Sequence, residues 1–330
     1  MRFKWRLARV QLAWVVALLC TVAGVWAVAR VPLGGLGGTL RGAAWPWLAA
    51  AVLAHVAIQP IGAWQWRLVL PESTPPVRWR DLLRLFALGA VANNTASSLV
   101  GHAAGTAMVA ALPGVGSARA VTLLALDQLC VGVAKLAVLL VASQLVAVPL
   151  AGAAVVWPAW MAAGVRGIAL AVGVLALLAV IVAPALARRT AAGRALPRLH
   201  PRVDPLVQAL AGAVANAMAA VPLTRVMLAA GCAVVVKLCE AVGIAAVQLA
   251  FGVPVSPLSV ALVLAATTVA TLVPVMPANL GTYEASVFAA LTAVGVTPEL
   301  AVAVALAQHG AQLVAAIVPG VLVAWSRVVA

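Results

Sequence analysis

The feature that most constrains this chain is the recurrence of apolar runs of about twenty residues from one end to the other, separated by short loops rich in arginine. A run of that length crosses the hydrocarbon core of a bilayer as a single helix. Only helices and closed barrels satisfy their backbone hydrogen bonds in lipid. The runs carry no two-residue alternation and are too long for barrel strands, so helices are predicted throughout. With 65% apolar and 8% charged residues, the chain cannot present a soluble surface. No stretch is left over for a separate globular domain, so residues 1–330 are read as one membrane domain.

A formal net charge of +14 would point to nucleic acid in a soluble protein. Here the placement of the charge decides otherwise. Most arginines sit at the ends of apolar runs, where cytoplasmic loops meet anionic headgroups, and no nucleic-acid partner is expected. Cys20, Cys130, Cys232 and Cys239 all lie within apolar runs without a CxxC spacing, and His55, His102, His200 and His309 are scattered. The sequence therefore predicts no disulfide, no metal site, no cofactor and no enzymatic centre.

Spans follow from the runs and their flanks. Residues 10–29 form either a retained first span or a signal peptide. The apolar stretch exceeds the usual core of a signal, which favours the span. Trp45 and Trp47 open the second span, and Trp64 and Trp66 close it as interfacial belts. The stretch 82–113 is too long and too interrupted for one simple span. Asn93, Asn94, Ser98, Gly101 and His102 break it, which predicts a re-entrant hairpin buried in protein. A span over 120–148 and a return over 163–186 lead to a basic loop at 187–222 with a surface helix near 206–220. A span over 225–251 precedes a second re-entrant hairpin at 257–297, broken at Pro274 to Gly281. A last span runs from 299 to 325. This scheme has about six full spans and places both termini in the cytoplasm. It leaves 16 basic residues inside and three, Arg30, Arg41 and Arg166, outside.

The two hairpins enter from opposite faces and share an order: broken segment, small-residue helix, glycine turn, long span. That order divides the chain into a first half at 82–186 and a second at 223–326, arranged as an inverted repeat. In such repeats the site lies where the broken helices meet. Candidate headgroup contacts are therefore Asn93, Asn94, Ser98 and His102 in the first hairpin, and Asn279, Thr282, Tyr283 and Glu284 in the second. A half-helix N-terminus within the membrane attracts anions. The alternative is self-capping, with Asn279 or Thr282 capping the helix and Glu284 neutralising its dipole. Charges at membrane depth are costly and usually face an interior. Lys237 and Glu240 are spaced to pair at i and i+3. Asp127 and Lys135 are too far apart along one helix to pair directly. His309 either relays protons or bridges helices. These five are the candidate ion- or proton-coupling groups, while His55 and Gln59 are read as packing groups.

The segment Pro274-Val275-Met276-Pro277-Ala278-Asn279-Leu280-Gly281-Thr282-Tyr283-Glu284, followed by Ala290-Leu291 and Gly295-Val296, resembles the flippase-like transmembrane region of lysylphosphatidylglycerol synthases and their stand-alone homologues. That family carries a P-x-x-P-G-x-x-G-x-x-E segment there. Its first motif often reads G-[DE]-x-x-R, whereas Gly105 to Val109 has neither the acid nor the arginine. Asp127-Gln128 stands where the family often has an acid followed by arginine. The resemblance implies a bacterial inner-membrane protein that translocates an anionic phospholipid or polyprenyl-linked lipid. The aminoacyltransferase domain of full-length synthases is not expected here. A non-transporting scaffold for a lipid- or glycan-modifying enzyme, with such an enzyme or a second copy as partner, is one alternative. A small-molecule secondary transporter is the other.

Overall fold

The computed structural model describes residues 33–95, 98–146, 219–271 and 277–325, with the side chains of residues 98–100, Val146 and Pro277 left aside. The predicted spans at 10–29 and 163–186, the basic loop at 187–218 and the surface helix near 206–220, save its last two residues, lie outside these segments. So do Arg327 and the first residues of the Pro274–Gly281 break.

Among the described residues every regular element is helical. After a short α1 (Leu36–Arg41) come α2 (Trp45–Val56) and α3 (Ile58–Val69), then α4 (Trp79–Thr95) and α5 (Ser98–Ala110), then the long α6 (Gly116–Val146). The second series is α7 (Leu223–Ala250), α8 (Pro257–Ala270), α9 (Thr282–Ala293) and α10 (Pro298–Trp325). Four segments are long and apolar enough to cross a membrane: Trp45–Val69, Gly116–Leu145, Leu223–Ala250 and Pro298–Trp325. The chain is a polytopic α-helical membrane protein.

Local chemistry explains the breaks. Pro60 offers no N–H to the carbonyl of Val56, so the first of these spans is interrupted at Ala57, between α2 and α3. The α8 helix starts with Pro257 in its first turn and a reciprocal capping box, in which Ser256 and Ser259 each accept the other's backbone N–H. The turns leading into α6 and α10 pass through Gly114, Gly116 and Gly295 at φ of 71° to 87°, a left-handed conformation that favours glycine.

The packing order reveals the repeat. Within each hairpin the two arms pack together, α4 on α5 and α8 on α9, and each second arm packs on the long helix that follows it, α5 on α6 and α9 on α10. The first arms cross over: α4 packs on α10 of the other series, and α8 packs on α6. The same pairing relates α3 to α7, since α3 touches α4 and α6 while α7 touches α8 and α10. The equivalent units thus include a long span before each hairpin, Trp45–Val69 in one and Leu223–Ala250 in the other. α7 packs along α2 and α3, joining the two units.

Basic residues gather at one end. Arg225 donates to the carbonyls of Arg67 and Leu70, and Arg119 donates to the carbonyl of Gly114, whose backbone abuts Thr74. Trp64 lies at this end, edge-on to Trp79 and under the Arg67 guanidinium. Trp45 and Trp47 are exposed at the opposite end, where the Ala44 N–H meets the Ala250 carbonyl. Three of the four tryptophans expected at the interfaces thus lie exposed at the two ends of the Trp45–Val69 segment. Trp66 does not. It is 8% exposed and packs edge-on against Phe86. One helical register turns it inward, two residues after the outward-facing Trp64.

Close approach depends on glycine at a few points. A Cβ on Gly101 would lie 2.5 Å from the Asn93 Cα, where the arms of the first hairpin meet. Gly101→Ala is expected to cost roughly 1–3 kcal/mol by overpacking. Gly132→Ala, with nothing within 4 Å of the added carbon, should cost nothing. Thermal unfolding in detergent checks both, and equal stability of the two variants would contradict the hairpin contact.

Candidate functional site

The broken ends of both hairpins reach the middle of the bundle. There they border two adjoining cavities of about 300 and 400 Å³ that share the side chains of His55, Asn93, His102, Gln128, Lys135, Lys237, Glu240 and Gln312. Asn93 and Asn94 come from the last turns of α4, and His102 from the first turns of α5. Asn279 and Tyr283 come from the second hairpin and line the larger cavity, with Thr267, Thr268 and Thr271 of α8. The turn Pro277–Asn279 packs directly on α4. Of the residues singled out in the sequence, these cavities bring together Asn93, Asn94, His102, Asp127, Lys135, Lys237, Glu240, Asn279 and Tyr283. Thr282, Glu284 and His309 lie outside the lining, and the side chain of Ser98 is outside the described residues.

The second hairpin shows how its N-terminus is satisfied. Glu284 takes the Gly281 N–H on one carboxylate oxygen at 2.8 Å, and the His309 ring donates to the other at 2.8 Å. The carboxylate thus closes the orphan end of α9 and ties it to α10. Tyr283 stacks on His309 at 4.6 Å between ring centres, and its hydroxyl accepts from Gln308 at 3.1 Å. Thr282 donates to the Asn279 carbonyl. His309 is therefore a bridge between helices. Ala278 and Asn279 both sit at φ 54°, a left-handed conformation that costs non-glycine residues roughly 1–2 kcal/mol. The family pattern has glycine at the first of these positions. The strained turn leaves the Asn279 side chain with no hydrogen bond among the described residues, against the cavity.

The charges divide into those that are held and one that is not. Lys237 and Glu240 pair at 2.7 Å on one face of α7, as their spacing predicts. Asp127 is 6% exposed and accepts from Gln65 at 2.8 Å and Gln128 at 3.1 Å, which clamps α6 to α3. Lys135, two turns further along α6, makes no hydrogen bond or ion pair among the described residues. It faces both cavities. Residues lining the same cavities carry buried polar atoms without partners among the described residues: Gln59 Oε1 on the smaller, Thr268 Oγ1 on the larger and Asn93 Oδ1 on both.

His55 and Gln59, read from sequence as packing groups, flank the break between α2 and α3 and line the cavity. Each also packs: the His55 ring donates to the Ala51 carbonyl and sits where a Cβ on Gly243 would fall. Gln128 stands out in the sequence only as a departure from the family pattern, and Gln312 and the α8 threonines do not stand out as site candidates. The available signal was uncharged polar residues recurring inside apolar runs, which is equally the signature of helix-to-helix hydrogen bonds.

Two helical series of the same order, with hairpins crossed over and polar cavities between their broken ends, make up a polytopic helical membrane protein. The sequence model described as "Lysylphosphatidylglycerol synthase TM region" matches residues 10–320, and the chain belongs to that family. No curated protein matches it.

The Lys237–Glu240 pair lines a cavity instead of filling a dry core, with side chains 13% and 27% exposed. Glu240→Gln is expected to destabilise by roughly 1–3 kcal/mol, because the ammonium loses its counter-charge. The double change Lys237→Met, Glu240→Leu should be milder than the sum of the singles. A double-mutant cycle by thermal or chemical unfolding in detergent checks this, and strict additivity would show that the two charges act independently.

Proposed function

We propose that the protein moves the anionic headgroup of a phospholipid or polyprenyl-linked lipid across a bacterial inner membrane, through the cavity between the hairpin ends. Membership of a lipid-handling membrane family supports this reading. The observation that carries it is Lys135, whose ammonium has no hydrogen bond or ion pair among the described residues and lines the same cavity as Asn93, His102 and Asn279. An ammonium at membrane depth costs about 2.5–3.5 kcal/mol on insertion scales, so it is retained for something. A phosphate supplies its counter-charge and accepts from the Asn93, Asn279 and Gln128 amides.

The function is transport, with no covalent step. Lys237 and Glu240 are the coupling candidates that remain exposed to the cavity. Asp127 and His309 are engaged with Gln65 and Glu284 and serve as clamps. The basic end carrying Arg67, Arg119 and Arg225 faces the cytoplasm in this reading.

Lys135→Met is expected to lower headgroup movement at least tenfold in vesicles reconstituted with fluorescent phosphatidylglycerol, at unchanged unfolding temperature. Asn279→Leu should act in the same direction. Unaltered movement in both variants would remove the headgroup site, and a scaffold role would take its place. Orientation has its own measurement. A cysteine at exposed Glu72, in the loop between α3 and α4, should resist an impermeant thiol reagent in intact cells and react after permeabilisation. Rapid labelling from outside would invert the topology.

A further inference from the structure

A third cavity of about 520 Å³ lies between α6, α7 and α8, in the half of the bundle away from Arg67 and Arg225. Its walls are aliphatic, including Val138 and Val141 of α6, Val234 and Leu238 of α7, and Val260 of α8. Val141, Val234 and Leu238 are 41–59% exposed, so the cavity opens sideways. One charged residue reaches it. That residue is Lys237, which also lines both polar cavities.

The twin of this seam holds a close helix contact. By the crossed packing, the counterpart of α8 against α6 is α4 against α10. There Gly320 seats so closely that a Cβ would meet Val91 Cγ2 at 2.2 Å and the Ala87 carbonyl oxygen at 3.0 Å. Among the described residues, two seams equivalent in packing order therefore differ: one carries an apolar groove and the other a close glycine contact.

We propose that the open seam seats an acyl chain of the phospholipid whose headgroup occupies the polar cavity, with the Lys237 ammonium at the junction of chain and phosphate. This rests on the transport reading above. Lipid chains are as apolar as the groove, so burial there adds no net driving force. What the seam supplies is continuity: the headgroup leaves the interface for the protein interior while its chain stays in a hydrocarbon surround. The apolar channel meets the polar one at Lys237, whose ammonium pairs with Glu240, and this passage from apolar to polar walls matches the order of groups along a phospholipid.

The test uses the full chain in vesicles of phosphatidylglycerol carrying a diazirine in one acyl chain. Cross-links in the wild type should concentrate on the α6, α7 and α8 residues of the seam. Ala137→Trp and Val234→Trp, at exposed positions that fill the groove, should lower these cross-links and headgroup movement at least fivefold. Leu322→Trp, on an exposed face elsewhere, should leave both unchanged. Stabilisation by glycerol 3-phosphate, which has a headgroup and no chain, should survive the groove changes and be lost in Lys135→Met. Cross-links spread evenly over the exposed apolar faces, or full headgroup movement in the groove-filled variants, would overturn the seam. Seam cross-links without any headgroup movement or glycerol 3-phosphate effect in the wild type would uphold the chain seat and end the transport reading.

Discussion

Everything in this molecule follows from one requirement: a backbone amide in hydrocarbon must find its hydrogen-bond partner within the protein. An unbroken helix meets it alone. A broken one cannot, and this chain breaks at Thr95, at Ala57 and between Ala270 and Thr282. Each break must therefore be covered by other helices. Covering them is what brings α4 and the Pro277–Asn279 turn together and draws α7 along α2 and α3. The polar centre is the consequence. Broken ends collect there because they are tolerated nowhere else at that depth.

The same requirement separates structural polar groups from available ones. Glu284 is spent on the Gly281 N–H and His309, and Asp127 on two glutamine amides. These carboxylates hold the frame. Lys135, Asn93 and Asn279 are not engaged in that way, and they surround the space that the frame encloses. A helix end that looks like an anion site in isolation is here already neutralised by its own carboxylate. The cavities beside it are lined by Lys135 and Lys237 together with Glu240.

Crossed hairpins also couple the halves mechanically. Because α4 leans on α10 and α8 on α6, neither hairpin can shift without the long helix of the other unit. Close seating at Gly320 on one side and an open groove on the other describe a frame in which equivalent seams need not be in equivalent states.

Much of this was legible in the residues themselves. Apolar runs of membrane length fix helices, glycines in Pro113 to Gly116 and at Gly295 fix turns, and the i, i+3 spacing of Lys237 and Glu240 fixes a pair, because all three depend on local geometry alone. Sequence also located the two broken segments, since Asn93-Asn94 and Pro277 to Gly281 oppose a continuous apolar helix. It could not tell Trp66 from Trp64, because both suit an interface and only packing against Phe86 decides which one turns inward. Nor could it say whether Glu284 would meet a ligand or its own helix end, since His309 is 25 residues distant. That Gln65 clamps Asp127 across 62 residues, that Lys135 has no partner among the described residues, and that an apolar groove lies between α6, α7 and α8 were decided by tertiary structure. Each depends on which helix faces come into contact, and near-uniform apolar faces of alanine, valine and leucine carry almost no record of that choice.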